Sequence, residues 1–100
     1  MKIIKRSTTL SAWRKAISRS VGFVPTMGAL HEGHFSLIKA SKKICNKTVV
    51  SIFINPTQFA PNEDLSSYPK TLELDMKGLR NLSVDVLFLP TEEEMYKKVA

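Results

Sequence analysis

The stretch VGFVPTMGALHEGHFSLIKASKKICNKTVVSIFINP, residues 21–56, predicts a strand, a glycine-rich turn, a helix and a second strand in succession. Residues 21–26 are mostly apolar and reach Pro25, which cannot donate to a sheet ladder, so they predict a buried strand that ends there. Residues 47–56 are β-branched and apolar without polar alternation, as in strands covered on both faces of a parallel sheet. This unit therefore predicts an α/β fold.

The segment between these two strands has the periodicity of an amphipathic helix over residues 33–45. The side chains predicted to face the sheet are Leu37, Ile38, Ser41, Ile44 and Cys45, and those predicted to face solvent are Lys39, Lys42 and Lys43. Segments with the hydrophobic periodicity of strands and of a helix thus alternate within 36 residues.

Upstream of this unit, residues 2–5 predict a short edge strand, and residues 7–20 predict a helix. Thr9 or Ser11 is the expected N-cap of that helix. Its apolar face would consist of Leu10, Trp13 and Ile17.

Downstream, residues 57–70 are rich in Pro, Asn, Asp and Ser, which predicts a long loop of the kind that often covers a site. Residues 71–82 predict a helix and residues 83–90 another apolar strand, while 91–100 begin like a capped helix. In the helix over 71–82, the expected inward stripe is Leu72, Met76 and Leu79, and the expected outward residues are Asp75 and Lys77.

The alternation of strands and helices predicts one Rossmann-like α/β domain, or part of one, with a parallel sheet and flanking helices. In such sheets, ligands bind outside the carboxyl ends of the strands. The segments PTMGALHEGH (25–34) and NPTQF (55–59) both fall at predicted carboxyl ends. They are the candidate site.

The composition sets limits on partners and location. The net charge is +6, but the lysines are dispersed and no aromatic side chains alternate with them, which favours a solvated helix face over a nucleic-acid surface. No apolar run is long enough to serve as a signal peptide or membrane span. The single cysteine, Cys45, excludes an internal disulfide and is expected to be buried. These features predict a cytoplasmic protein with neither nucleic acid nor membrane as a partner.

Both histidines of the chain lie in the segment at residues 25–34. A helix starting near Glu32 or Gly33 would place His31 and His34 one turn apart on its first turn, beside free N–H groups and the positive end of the helix dipole. Gly28 and Gly33 would allow close backbone approach or positive φ. This arrangement suits a phosphate, and the imidazoles could stabilise charge that develops during attack at phosphorus.

Other interpretations of the segment compete with phosphate binding. Zinc would need more ligands than His-Glu-Gly-His and a distant cysteine provide, so no metal ligand is assigned. Glycines at 22, 28 and 33 do not form a dinucleotide fingerprint. The glycines could also serve only as a turn with incidental histidines.

Three motifs in order, PTMGALHEGH, VSIFINPTQF and DLSSYPKT, resemble those of the pantothenate synthetases (pantoate–β-alanine ligases), within the HxGH nucleotidyltransferase superfamily. The similarity runs from about Val21 to Tyr96. It implies that ATP and pantoate form pantoyl adenylate and pyrophosphate, with Mg²⁺ assisting. β-Alanine then attacks the acyl carbon to give pantothenate and AMP.

The resemblance also implies roles for individual residues. His34 matches the proton donor and His31 its phosphate-contacting partner. Gln58 matches the residue that binds pantoate and then β-alanine, with Asn55 and Met27 beside the substrates, although turn chemistry alone could explain Asn55 and Gln58. The implied ATP-binding residues are Pro25, Thr26, Met27, Gly28, Ala29, Leu30, His31, Glu32, Gly33 and His34. The loop Phe59–Lys70 is a candidate cover, with Tyr68 as a candidate latch.

The family extends further than this chain does. Residues 1–100 resemble the first half of its nucleotide-binding domain, and neither the later half nor the C-terminal lid domain is present. Catalysis by these residues alone is therefore uncertain, and an uncovered apolar face predicts pairing between copies, a homodimer. A non-catalytic nucleotide-binding module and a different HxGH nucleotidyltransferase are the alternatives.

Overall fold

The computed structural model describes residues 1–53 and 68–91, with the backbone alone for residues 68–70. The elements in chain order are β1 (Lys2–Ile4), α1 (Ser7–Lys15), β2 (Val21–Thr26), α2 (Glu32–Ile44), β3 (Lys47–Ile52), α3 (Tyr68–Asn81) and β4 (Val86–Phe88).

The four strands form one sheet in the order β1-β4-β3-β2, and every neighbouring pair is parallel. This confirms the predicted Rossmann-like α/β fold. Because the strands are parallel, their carboxyl ends lie at one edge of the sheet, and the β2–α2 connection leaves from that edge.

Helices cover both faces of the sheet. On one face, Leu10 and Trp13 of α1 pack against the strand residues Ile4, Val49, Val86 and Phe88. On the other face, helices α2 and α3 complete a larger cluster with the strands. Its buried members are Val24, Ile38, Val50, Ile52, Leu79, Val84 and Leu87.

Strand β3 lies in the interior of the sheet, and its residues from Thr48 to Ile52 are all buried. Alternate side chains enter the two clusters: Val49 packs on the α1 face, whereas Val50 packs on the α2 and α3 face. The prediction of a strand covered on both sides is thus confirmed for residues 47–52.

Strand β2, by contrast, is at the edge of the sheet as far as the described residues go. The carbonyl oxygens of Ser20 and Thr26 accept bonds from Lys47 and Phe53, so even-numbered residues pair with β3 and odd-numbered ones point their backbone groups to the open side. Pro25 is exposed on that side, where its missing N–H costs no ladder bond. The strand is half buried, and the prediction of full burial is wrong for Phe23, which is 54% exposed.

The exposed apolar residues of α2 adjoin this open edge. Ile38 and Ser41 are buried as predicted, but Leu37 is 59% and Ile44 80% exposed, so the predicted inward stripe is wrong at both positions. Cys45 is half-buried rather than buried. The helix packs through a narrow stripe and leaves its apolar flank in solvent.

Helix boundaries differ from the predictions at several points. Helix α1 begins at Ser7 after Arg6, with no side-chain cap, so the prediction of Thr9 or Ser11 as the cap is wrong, and Ile17 lies beyond the end of the helix. Helix α3 begins at Tyr68, three residues earlier than predicted, and ends at Asn81. Strand β4 is limited to the centre of the predicted segment 83–90.

Several predictions fall outside the described residues. These are the loop over 57–67, the helix start after Thr91, and the side chain of Tyr68. Among the residues that the structure describes, no helix combines the length and apolarity needed to cross a bilayer.

Gly22 marks a close approach between β2 and α2. A Cβ atom at this position would lie 2.0 Å from Ser41 Oγ, and Ser41 Oγ is itself hydrogen-bonded to Thr48 Oγ1 at 2.9 Å inside the core. Because neither partner can move freely, only glycine fits here without displacing the helix.

We expect Gly22→Ala to lower the free energy of unfolding by about 1–3 kcal/mol, because the new methyl group overpacks the β2–α2 contact. Urea denaturation of Gly22→Ala, Ser41→Ala and the double variant would measure it. Removing Ser41 Oγ should cost less in the Gly22→Ala background, since it relieves the clash. Strict additivity of the two changes would contradict this account.

Candidate functional site

The candidate site is the connection from β2 to α2, residues 27–31, at the carboxyl edge of the sheet. It contains two consecutive residues in the left-handed region, Gly28 with φ 91° and Ala29 with φ 53°. Glycine adopts this conformation freely, but alanine does so at a cost of roughly 1–2 kcal/mol. Other interactions must therefore hold the turn.

One of these interactions begins at the last residue of β2. Thr26 is buried, and its Oγ1 donates to the carbonyl oxygen of Ser51 at 2.9 Å and accepts the N–H of Gly28 at 3.3 Å. The hydroxyl thus connects the first residues of the turn to the neighbouring strand. Thr26 was predicted to bind ATP, and in this structure its hydroxyl is engaged within the protein.

The strongest restraint on the turn comes from α3. Asp75 is only 4% exposed, and its two carboxylate oxygens accept the N–H groups of Leu30 at 2.9 Å and Ala29 at 3.0 Å. The prediction that Asp75 faces solvent is therefore wrong. Its burial is possible because backbone donors replace the water that a carboxylate would otherwise bind.

The two histidines cap the first turn of α2 through bonds between imidazole nitrogens and backbone N–H groups. His31 is the N-cap residue; its Nδ1 accepts the N–H of Gly33 at 3.1 Å, and Nδ1 of His34 accepts the N–H of His31 at 3.2 Å. Their ring centroids lie 4.2 Å apart. The expectation that the imidazoles come together on the first turn is confirmed.

This capping determines which imidazole nitrogen can act on a ligand. A nitrogen that accepts a bond from an N–H has no proton of its own, so in the neutral ring the proton is on Nε2. Each imidazole therefore has an Nε2–H donor that is not used by the cap. Two such donors within one helical turn suit the oxygens of an anion.

The backbone of the turn contributes less to anion binding than the sequence indicates. The N–H groups of Gly28, Ala29 and Leu30 all bond to protein oxygens, and that of Gly33 bonds to His31. Gly33 instead provides space, since a Cβ there would meet Cε1 of His31 at 2.9 Å. The imidazoles, rather than these amides, are the available donors.

The remaining predicted site residues divide into two groups. Pro25, Met27 and Glu32 are exposed around the turn, and Met27 is 60% exposed. Asn55 and Gln58 lie outside the described residues, so their assignment to substrate stays a prediction. No three metal-ligating side chains meet within 1–53 and 68–91.

Comparison with known proteins identifies the family. The sequence pattern described as Pantoate-beta-alanine ligase matches residues 2–100. The chain belongs to this family. It is 61% identical over 79 residues to pantothenate synthetase of Acidobacterium capsulatum, covering 79% of this chain and 26% of that one. It is 50% identical over 99 residues to pantothenate synthetase of Thermosipho africanus, covering 96% of this chain and 36% of the relative.

Solved structures of the family have the same fold. The pantoate–β-alanine ligase of Francisella tularensis, crystallised with β-γ ATP and β-alanine, superposes with a TM-score of 0.81 at 46% identity. The match covers 97% of this chain and 38% of that one. Pantothenate synthetase of Thermus thermophilus gives a TM-score of 0.72 at 42% identity, over 96% of this chain and 34% of that one. The chain thus spans between a quarter and two fifths of the length of these relatives.

Sequence reasoning missed Asp75, although its position contained a signal. Asp75 follows Leu72 by three residues and precedes Leu79 by four, so it lies on the same face as the apolar stripe. Leu79 is fully buried in the core. A carboxylate within an inward stripe indicates backbone donors nearby, and the amides of Ala29 and Leu30 are those donors.

Substitution of His31 can separate its role as the N-cap of α2 from the hydrogen-bond donor on its imidazole. We expect His31→Ala to lower the free energy of unfolding by about 1 kcal/mol, because the N–H of Gly33 loses its acceptor. His31→Asn should restore most of the loss, since asparagine is among the best N-cap residues. Urea denaturation of the three proteins would test this; equal stabilities for the Ala and Asn variants would contradict the capping role.

Proposed function

We propose that residues 1–100 are the N-terminal part of the nucleotide-binding domain of a pantoate–β-alanine ligase. The reaction of such an enzyme joins pantoate to β-alanine through pantoyl adenylate. The observation that supports this most directly is the capped His31–His34 pair at the carboxyl end of β2, in a chain that superposes on a ligase crystallised with β-γ ATP and β-alanine. The substrates are then ATP, pantoate and β-alanine, with neither nucleic acid nor membrane involved.

In the first step, a carboxylate oxygen of pantoate attacks the α-phosphorus of ATP, and pyrophosphate leaves. We assign the Nε2–H groups of His31 and His34 to the phosphate oxygens, where the positive end of α2 adds to their effect. His34, which matches the family's proton donor, acts as a hydrogen-bond donor to the departing pyrophosphate oxygens and keeps its Nε2 proton, because its Nδ1 already accepts the N–H of His31. The two Nε2–H donors stabilise the phosphates and become more effective as negative charge accumulates in the transition state.

In the second step, the amine of β-alanine attacks the acyl carbon and AMP leaves. We assign binding of pantoate and then β-alanine to Gln58, with Asn55 and Met27 beside it. A side-chain amide can donate to one oxygen and accept from another without adding charge beside a carboxylate. This assignment rests on the NPTQF motif, since both amide residues lie outside the described part of the chain.

Mg²⁺ is the cofactor that this reaction implies, but the described residues do not fit a protein site for it. Both oxygens of Asp75 in α3 accept backbone N–H groups, and Glu32 is the one carboxylate within residues 21–44. Mg²⁺ prefers several oxygen ligands and commonly takes them from the triphosphate itself. No step proposed for this chain depends on the metal.

ATP binding by this chain is the first test. We expect His34→Ala and His31→Asn to weaken ATP binding roughly tenfold or more, because each removes a donor to a phosphate oxygen. Isothermal titration would measure it, with Ser36→Ala on the exposed face of α2 as the matched control. Because His31→Asn keeps the cap, its loss of affinity reports the imidazole alone.

The reaction itself is tested by pantoate-dependent exchange of labelled pyrophosphate into ATP, with Gln58→Ala beside His34→Ala. Exchange that requires pantoate and disappears in both variants would establish adenylation by these residues. ATP binding without exchange would indicate a nucleotide-binding module that needs further residues for the chemistry. Absence of ATP binding in the unsubstituted chain would contradict the proposed site.

We further propose that the chain forms a homodimer in the cytoplasm. The free thiol of Cys45 fits a reducing compartment. The open edge of β2 and the exposed side chains of Phe23, Leu37 and Ile44 provide an apolar surface of the kind that associates in water.

Sedimentation equilibrium tests the association. We expect Leu37→Lys and Ile44→Lys to weaken self-association roughly tenfold each, since a charge in an apolar contact costs more than about 1.4 kcal/mol. Leu74→Lys is the control, because Leu74 is 71% exposed on α3. Equal effects at all three positions, or a monomeric unsubstituted chain, would contradict the assignment of this surface.

A further inference from the structure

Asp75 is a buried anion with an unusual set of partners. Among the described residues, no lysine or arginine lies within ion-pair distance of Asp75. The ion pair that those residues do form joins Lys47 to Asp85, at 3.8 Å. Both oxygens of Asp75 instead accept backbone N–H groups that precede it by 46 and 45 residues. A buried carboxylate without a cation is costly unless its hydrogen bonds are retained, so these two bonds are a strong restraint.

The restrained residues are the ones with the least favourable backbone conformation. Ala29 has φ 53°, a conformation that persists only where the surroundings impose it. Its own N–H and that of Leu30 are the two donors to Asp75. The carboxylate thus stabilises the left-handed turn with two charge-assisted bonds.

The conformation of this turn determines where the imidazoles lie. His31 follows Leu30 directly; its backbone N–H donates to Nδ1 of His34, and its own Nδ1 accepts the N–H of Gly33. A different path at residues 29–30 would move the N-cap residue relative to α2. The position of both Nε2 donors therefore depends on a residue of α3 that is itself more than 40 positions away in sequence.

We propose that Asp75 is a positioning residue for ATP: by binding the amides of Ala29 and Leu30 it fixes the turn that aligns His31 and His34. This inference rests on the proposed function for the role of the imidazoles. The restraint on the turn itself does not.

The test compares Asp75→Asn with Glu73→Gln in the ¹⁵N-labelled 100-residue chain. Both variants remove one carboxylate charge from α3, but Glu73 is exposed. Asparagine offers one acceptor oxygen, and its NH₂ group faces the second backbone donor. We expect amide hydrogen exchange at Ala29 and Leu30 to become roughly tenfold faster in Asp75→Asn, while the amide of Ile38, inside α2, is unchanged.

The second measurement is ATP affinity at a temperature where all variants are folded. A residue that only stabilises the fold would not alter the affinity of the folded protein. We expect Asp75→Asn to weaken ATP binding roughly tenfold, Glu73→Gln to leave it within about twofold, and Asp75→Glu, with two acceptor oxygens, to lie nearer the unsubstituted chain than Asp75→Asn.

Each outcome supports or overturns the proposal. Unchanged exchange at Ala29 and Leu30 in Asp75→Asn would overturn the restraint. Faster exchange with unchanged ATP affinity would overturn the positioning role. If the unsubstituted chain binds no ATP, the proposed function and the positioning role fail together, and the exchange data still decide the restraint. If Asp75→Asn does not fold, the unsubstituted chain and Asp75→Glu supply the test. Slow exchange at both amides in the unsubstituted chain and retained affinity in Asp75→Glu support the proposal; fast exchange at either amide overturns it.

Discussion

The parallel pairing of β2 with β3 is the constraint on which the site depends. Its register sets Thr26 opposite Ile52, so that the hydroxyl of Thr26 reaches the carbonyl oxygen of Ser51 at the point where β2 ends. The chain therefore leaves the sheet from a fixed position and direction. Because β3 is buried on both faces, the anchoring point cannot shift without disturbing the core. The turn that follows starts from a rigid base.

The turn that follows β2 has hydrogen-bond donors that point into the fold and others that point to its surface. The N–H groups of Ala29 and Leu30 are positive dipole ends, and in a phosphate-binding turn they could point to the ligand. Here they point inward to Asp75, so an internal anion satisfies them. The imidazoles of His31 and His34 are the donors that the proposed function assigns to an external anion. In the proposed site, a turn that is held by one negative group presents donors to another.

The sequence allowed the framework to be predicted because its signals are local. The continuous β-branched run before Pro56 predicts a covered parallel strand, and the spacing of His31 and His34 predicts their meeting on one helical turn. The position of Asp75 on the apolar face of α3 is also a local signal, but its partners could not be predicted, since the backbone donors lie 45 and 46 residues earlier in the chain. For Leu37 and Ile44 the error is the opposite one, since both are predicted to be buried and are exposed. They are apolar and lie at helical spacing, but their exposure depends on which elements adjoin the open side of β2.

The open edge of β2 also bears on what the site can do. In the described residues, the imidazole pair is supported from one side, by β3 and by α3 through Asp75, whereas the other side of β2 presents Phe23 and Pro25 to solvent. Donors that converge from one side are sufficient to bind phosphate oxygens. Accelerating attack at phosphorus demands more, because the nucleophile and the leaving group must be held in line from opposite directions. The donors assigned to ATP in the described residues therefore account for contacts with phosphate oxygens, and not for the in-line arrangement that catalysis requires.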